Sequence, residues 1–439
     1  MEWKPDQLCN PEGETLAGYY VSEDVKRLWN IELNLAKILL DVCKKHDLRI
    51  SVAYGSMIGA VRHKGFVPWD DDMDFFMPRE DYDKLNALAD EEFNKKTGPV
   101  VLRSYEHDNH YYKLSLIRIC LEGTAFFSKL QSMMGFEYDH SIAVDIFPVE
   151  RLPDDEAAAE KLIKDYINLA QYMELRHYRR ERLWKGRREF LSYRNYAAEK
   201  RNWSDDRIYG YLMDKFRDVP RKTQLCAHIQ TYFRYEAIVV YKSFIDDEII
   251  ELPFERTVVP CYKSYDAILT RFFGDWRIPI HYPNDHEGYT GNTFIIDEHN
   301  SYKKYLKGSL YFCYQYFLHE LENFIKIAVN LKHVLKLNLL LSRYRKKRVV
   351  LWGASIFLHR IILEGRVHDH NNIVGIVDRC LAQDGKKIAK FNVYGLPTLS
   401  DLRPDVVIIT IVNHNKRFMP EIREYLQAKG LNPMLYVIY

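Results

Sequence analysis

Apolar positions recur at helical spacing from residue 22 to residue 46, with Leu28, Ile31, Leu35, Ile38 and Val42 on one face. Ser22 stands ahead of the run as a candidate cap, and Glu23 and Asp24 follow where a helix N-terminus favours acids. The pattern then switches to alternation in Ile50-Ser51-Val52-Ala53-Tyr54, which predicts a strand. A small-residue turn, Gly55-Ser56, a short helix-like segment and a basic loop (Arg62, His63, Lys64, Gly65) come next. Pro78 opens a second helix carrying Tyr82, Leu85 and Leu88. Residues 100–104, 113–119 and 142–147 read as strands, the last ended by Pro148. This order predicts an α/β core, a small mixed sheet with helices against it.

From 154 to about 245 the sequence is helical and charged, with no breaker from Ala159 to Gly186. Pro253-Phe254-Glu255 and Pro260 predict a structured loop, and Tyr265–Phe273 a short helix ended by Gly274. A helical connector spans 301–346, its stripe of Tyr314, Phe317, Leu321, Phe324 and Ala328 read as packing. Arg345 to Arg348 mark a boundary. Beyond it, Val349-Val350-Leu351-Trp352 runs into Gly353-Ala354-Ser355, a second apolar run ends in Asp378, and the alternation continues through 394–397 and 406–412. That pattern predicts a Rossmann-like parallel α/β domain at 347–439. Gly-Ala-Ser lacks the further glycines of GxGxxG, so a structural or sugar-nucleotide-sensing role is favoured over a working dinucleotide site.

Four acids fall within five positions, Asp70, Asp71, Asp72 and Asp74, and Phe75, Phe76 and Met77 follow at once. On a strand starting at Asp72, side chains alternate, so Asp72 and Asp74 project side by side and repel unless a cation lies between them. A calcium EF-hand wants Gly at its sixth position and Glu at its twelfth; counted from Asp70 those are Phe75 and Asp81. Asp145 is a third acid in another strand-like run. Hard oxygen ligands beside a phosphate-sized turn point to Mg²⁺ or Mn²⁺ and to phosphoryl chemistry.

The run from Tyr54 through Asp74, followed by MPREDYDKL and later by VDIFP, resembles the LicD family of the nucleotidyltransferase superfamily. PFERTVVPCYKSYDAILTRFFGDW at 253–276 is similar to the family's later block, with Phe where Tyr is common. The resemblance implies a catalytic domain at 1–300 of nucleotidyltransferase-like fold, with the helical insert at about 154–245. It implies that Gly55 and Ser56 approach nucleotide phosphates, that Asp72 and Asp74 are paired metal carboxylates, and that Asp145 completes the metal site or acts as base. Its usual turn continues with Thr or Ser then Leu, where this chain has Ser56-Met57. Arg62, Lys64 and Lys113 are candidate phosphate partners, and Tyr54, Trp69 and Trp276 are candidate walls for a quaternary ammonium. The implied reaction moves a phospho-alcohol from a CDP-activated donor, such as CDP-choline, to a sugar hydroxyl of a glycan or lipid-linked glycan. The alternatives are transfer of a nucleoside monophosphate from a triphosphate to a small molecule, and a non-catalytic nucleotide-binding protein.

Composition changes little in this picture. The 63 basic and 61 acidic residues give no argument for nucleic acid or for a charged membrane surface. The basic run holding Arg176, Arg179, Arg180, Arg182, Lys185, Arg187 and Arg188 is compatible with a lipid-phosphate acceptor and peripheral membrane association, although most such runs are solvated helix faces. Seven scattered cysteines without a CxxC pair indicate neither a zinc site nor a disulfide framework. The opening MEWKPDQL lacks a signal-peptide apolar region, and no apolar run nears the roughly 18 residues that span a bilayer. The expected compartment is the reducing cytosol, at the inner face of the membrane.

Overall fold

The computed structural model describes residues 3–95, 97–107, 114–128, 139–179, 182, 187–229, 238–279, 294–306, 332–353, 358, 362, 370–378, 387–388, 390–410 and 415–438. The chain forms two compact units, Met1–Leu269 with Pro279–Tyr316, and Thr270–Ile278 with Phe317–Tyr439.

In the first unit a hairpin, β1 (Glu14–Leu16) and β2 (Tyr19–Val21), leads into α1 (Glu23–Lys45). Ser22 Oγ accepts from the Val25 amide at 3.4 Å, a cap of about 1 kcal/mol, and Lys44 and Lys45 suit the negative C-terminal end. Leu28, Trp29, Leu35 and Leu39 are fully buried along its inner face, each contributing about 1.5–3 kcal/mol of burial. The chain continues through β3 (Ser51–Val52), the short α2 (Tyr54–Ile58) and a wide helical turn at Gly59–His63. Then come β4 (Asp74–Pro78), α3 (Arg79–Ala87), β5 (Val100–Arg103), β6 (Ile117–Leu121), β7 (Ala125–Ser128) and β8 (Ile142–Leu152).

β8 is the spine of the sheet. Its first half lies between parallel β4 and antiparallel β6, and its end pairs with β9 (Leu225–Ala227), itself paired with β10 (Val240–Lys242). The seven-stranded mixed sheet runs β10-β9-β8-β4-β3, with β6 and then β5 branching from β8. Pro148 does not end the strand as the sequence predicts. It lies beyond the β6 pairing, which stops at Ile146, and before the β9 pairing, which starts at Glu150. A residue without an amide hydrogen is tolerated at such a change of partner.

The helical insert comprises α4 (Glu156–His177), α5 (Arg187–Tyr196) and α6 (Asp205–Arg217), packed around Tyr166, Leu169, Met173 and Leu212. α4 stops at His177 rather than running to Gly186. Tyr178 turns out of helical geometry at ψ 87 and is buried, while Arg176 and His177 are both held by Asp205 at the start of α6. Within the basic run Arg182 lies 5.1 Å over Phe190, so this arginine, like Arg176, is used internally, while Arg179 is exposed. Arg180 and Lys185 lie outside the described residues.

Residues 253–260 are not a loop. β11 (Ile249–Phe254) and β12 (Thr257–Tyr262) form an antiparallel hairpin in which Pro253 faces Val258 and Pro260 faces Glu251, with Glu255 turning at φ 51. The hairpin straps the segment after α2: the Glu255 amide donates to Lys64 O at 2.8 Å, and Phe254 meets Phe66 at 5.0 Å. α7 (Tyr265–Phe273) follows, and β13 (Phe294–Asp297) pairs with β7. His281, His286 and the connector stripe lie outside the described residues.

The second unit holds β14 (Val349–Trp352), β15 (Ile373–Val377), β16 (Lys387–Ile388), β17 (Phe391–Tyr394), β18 (Val406–Ile409) and β19 (Met434–Val437), with α8 (Asn415–Ala428) before the last. β17-β15-β14-β18-β19 are parallel in that order, and β16 adds antiparallel to β17. Val349, Leu351, Val406 and Ile408 pack on one face and Val350, Trp352, Val407 and Ile409 on the other, as unbroken apolar strands require. Among the described residues, no helix is long and apolar enough to cross a membrane.

Candidate functional site

The site grows from one row of the sheet. Parallel pairing sets Asp74 beside Asp145, and antiparallel pairing sets Arg118 on the other side of Asp145. Laterally paired residues share a face, so the row Arg118–Asp145–Asp74 crosses three strands. Arg118 Nε donates to Asp145 Oδ1 at 2.9 Å, and its Nη1 to the Asp139 carbonyl at 2.7 Å. The strand starts at Asp74 rather than Asp72, yet alternation holds through the approach: Asp71 and Met73 are buried, Asp72 and Asp74 half-buried. Asp70, Asp71 and Asp72 each place one oxygen within 4.8 Å of the others.

Ser56 and Gly55 shape the wall beside this row. Ser56 is buried and its Oγ accepts from the Asp74 amide at 2.9 Å, while the Ala53 amide donates to Asp74 O at 2.8 Å. The chain enters α2 through Tyr54 at φ 40. A Cβ on Gly55 would lie 1.9 Å from Asp70 Oδ2, so the glycine is required by the close approach of that carboxylate. Arg62 is half-buried and its Nε donates to His63 Nε2 at 2.9 Å; Lys64 is exposed at φ 57. Burial, with the Arg62 charge, pushes His63 down to about 4. Lys113 lies outside the described residues.

Of the three candidate ammonium-facing rings, Tyr54 packs edge-on to Phe76 at 4.8 Å, and its hydroxyl bonds His228 Nδ1. Trp69 is half-buried, edge-on to Tyr19 at 6.1 Å and to His63 at 6.2 Å. Trp276 belongs to the second unit, buried with the Arg277 guanidinium 4.8 Å over its ring.

Two groups here escape sequence reasoning. His228, buried beside Tyr54 and Phe147, is pushed down to about 3 by burial and by the Arg79 charge. Glu32 of α1 is fully buried, with no hydrogen bond to either oxygen among the described residues. Its position three residues before Leu35 on the apolar stripe is the signal that could have found it; nothing in the residues around His228 marks it.

The electrostatics favour a cation. Burial first, then the charge of Asp74, pushes Asp72 well above the carboxylate range; burial first, then Asp145, does the same to Asp74. Like charges held together away from bulk water repel unless a cation lies between them. Oxygen-only donors held in this way fit Mg²⁺ or Mn²⁺.

The raised values carry a sign. Between the ordinary carboxylate range and the raised values, the folded protein holds more protons than the unfolded chain, so its stability falls as pH rises through that window. In EDTA the melting temperature is therefore expected to fall as pH rises above the ordinary carboxylate range, and Mg²⁺ to raise it most at the higher pH values. Melting curves at several pH values check this. A melting temperature that rises with pH in EDTA and ignores Mg²⁺ contradicts it.

Residues 47–153 match the family model described as LicD/FKTN/FKRP, nucleotidyltransferase domain. The chain is also similar to the lipopolysaccharide cholinephosphotransferase LicD of Haemophilus influenzae (strain ATCC 51907 / DSM 11121 / KW20 / Rd), 35% identical over 77 residues. That match covers 17% of this chain and 29% of the relative, so less than a third of the relative's length is spanned. The matched segment runs from just before β3 to the end of β8, and it contains the acid loop, the Gly55-Ser56 turn and Asp145, while α1, His228 and the hairpin of β11 and β12 lie outside it. Over residues 47–153, then, this chain is similar to the nucleotidyltransferase domain of the LicD family.

Proposed function

We propose that the protein is a cation-dependent phosphotransferase, moving a phospho-alcohol from a CDP-activated donor to a hydroxyl of a cell-surface glycan or its lipid-linked precursor. The single observation that carries this reading is the Arg118–Asp145–Asp74 row beside Asp72, built inside a LicD-type domain. The relative's name, a cholinephosphotransferase, makes phosphocholine the first choice of group. Asp72 and Asp74 would hold Mg²⁺ or Mn²⁺ with Asp145 in support. Such an ion, when bound, neutralises charge on the transferred phosphoryl group.

The chain's own residues do the rest. Arg118 fixes Asp145, which either supports the cation or takes the proton of the acceptor hydroxyl. The acceptor oxygen bonds to the phosphorus bearing the alcohol, the bond from that phosphorus to the CMP oxygen breaks, and CMP leaves with the electron pair. Arg62 and Lys64 offset the charge of the departing phosphate, and Gly55 allows close approach at the turn. Tyr54 and Trp69 are the rings of this unit proposed to face the ammonium group. The reaction is placed at the cytosolic face of a membrane, where lipid-linked precursors would be met. In the second unit, the parallel order β17-β15-β14-β18-β19 supports a Rossmann-like reading, with Gly353 at φ 111 after β14 and Asp378 after β15. Ala354 and Ser355 lie outside the described residues.

The test separates nucleotides after incubation with Mg²⁺ and CDP-choline, CDP-ribitol or CDP-glycerol, and in parallel with CTP or ATP. CMP from one CDP-alcohol is the expected result. Pyrophosphate from a triphosphate, with no CMP from any CDP-alcohol, would replace this reading with nucleotidyl transfer.

A further inference from the structure

α1 precedes the matched segment, yet it touches the acid loop and carries a buried carboxylate on that face. Trp29 Nε1 donates to the Asp70 carbonyl at 3.1 Å, which fixes the face of α1 that meets this loop. Glu32 lies three residues further on, on that same face. The helix packs against β6 and β8, the strands that carry Arg118 and Asp145. Glu32 is 0% exposed, and neither oxygen has a hydrogen-bond partner among the described residues. A buried carboxyl without a partner is a cost to the fold, and an apolar residue would fill this stripe without that cost. Burial first, then the charges of Asp71, Asp145, Asp70 and Asp74, disfavour its ionised form.

We propose that Glu32 is a further ligand of the divalent cation held by the acid loop, reaching it from the protein interior on the Asp71 side. This rests on the cation-dependent reading above. A site closed from behind by a helix outside the LicD-type segment makes the N-terminal region part of the cation-binding unit. Docking of α1 and loading of the cation are then one coupled event.

The test is Mn²⁺ binding to the full chain, followed by the electron-paramagnetic-resonance signal of free Mn²⁺, alongside melting curves in EDTA. Glu32→Gln is expected to weaken Mn²⁺ binding about tenfold or more while raising the melting temperature of the cation-free protein, because a buried acid facing other acids is removed. A residue with a merely structural role would lower that melting temperature and leave the Kd unchanged. Glu32→Asp, which keeps the carboxylate on a shorter stem, is expected to bind Mn²⁺ more weakly than wild type, and it serves the test if the Gln variant fails to fold. Wild-type affinity in either folded variant overturns the role of Glu32 and leaves the cation reading standing. Wild-type protein that binds no Mn²⁺ overturns both.

Discussion

Asp74→Asn is expected to lower turnover by about a thousandfold, roughly 4 kcal/mol of transition-state stabilisation, and to raise the melting temperature of the cation-free protein by a few degrees. The two effects share a cause. Asp74 is pushed up by burial and by Asp145 on the neighbouring strand, so its charge is a cost to the fold unless a cation offsets it. Asn keeps the shape, and the strand keeps its anchors, because Ser56 and Ala53 bond the Asp74 backbone and not its side chain. Loss of activity together with loss of stability would make Asp74 a structural residue. Retention of both would remove it from the site.

The second large effect lies behind the site. Arg79, at the start of α3, donates from Nε to Glu150 Oε1 at 2.9 Å and Oε2 at 3.1 Å, and both side chains are buried. Glu150 sits on β8, the strand that carries Asp145, so the pair clamps α3 to the spine of the sheet. Glu150→Ala leaves the guanidinium with Asp83, at 3.1 Å and partly in solvent, as its remaining ion-pair partner shown here. The expected loss is about 3–5 kcal/mol, read as a lower urea midpoint. The double replacement Arg79→Met with Glu150→Leu is expected to recover much of it, since a well-packed apolar pair avoids desolvating two charges. A single variant within about 1 kcal/mol of wild type would show that the clamp contributes little.

Legibility in the sequence followed locality. α1 was readable because its cap, acidic first turn and apolar stripe all lie within one stretch, and the structure ends it within a residue of the expected bounds. The acid loop was readable because its carboxylates are adjacent in the chain. The partnership of Arg118 with Asp145 depends instead on the antiparallel register of β6 against β8, which no local pattern encodes. Two errors came from proline. Pro148 was read as a stop and Pro253 with Pro260 as a loop, but each sits where the ladder dispenses with its amide. Glu32 went unnoticed, because its environment is made by residues 38 to 113 positions away in sequence, from Asp70 to Asp145.

The most direct measurement is acceptor-free CMP release from CDP-choline by wild-type protein in Mg²⁺, by the same protein in EDTA, and by Asp72→Asn in Mg²⁺. The account predicts CMP in the first arm and none above background in the other two. CMP release that survives EDTA, or that Asp72→Asn sustains at the wild-type rate, would contradict a cation held by these carboxylates as the centre of the chemistry.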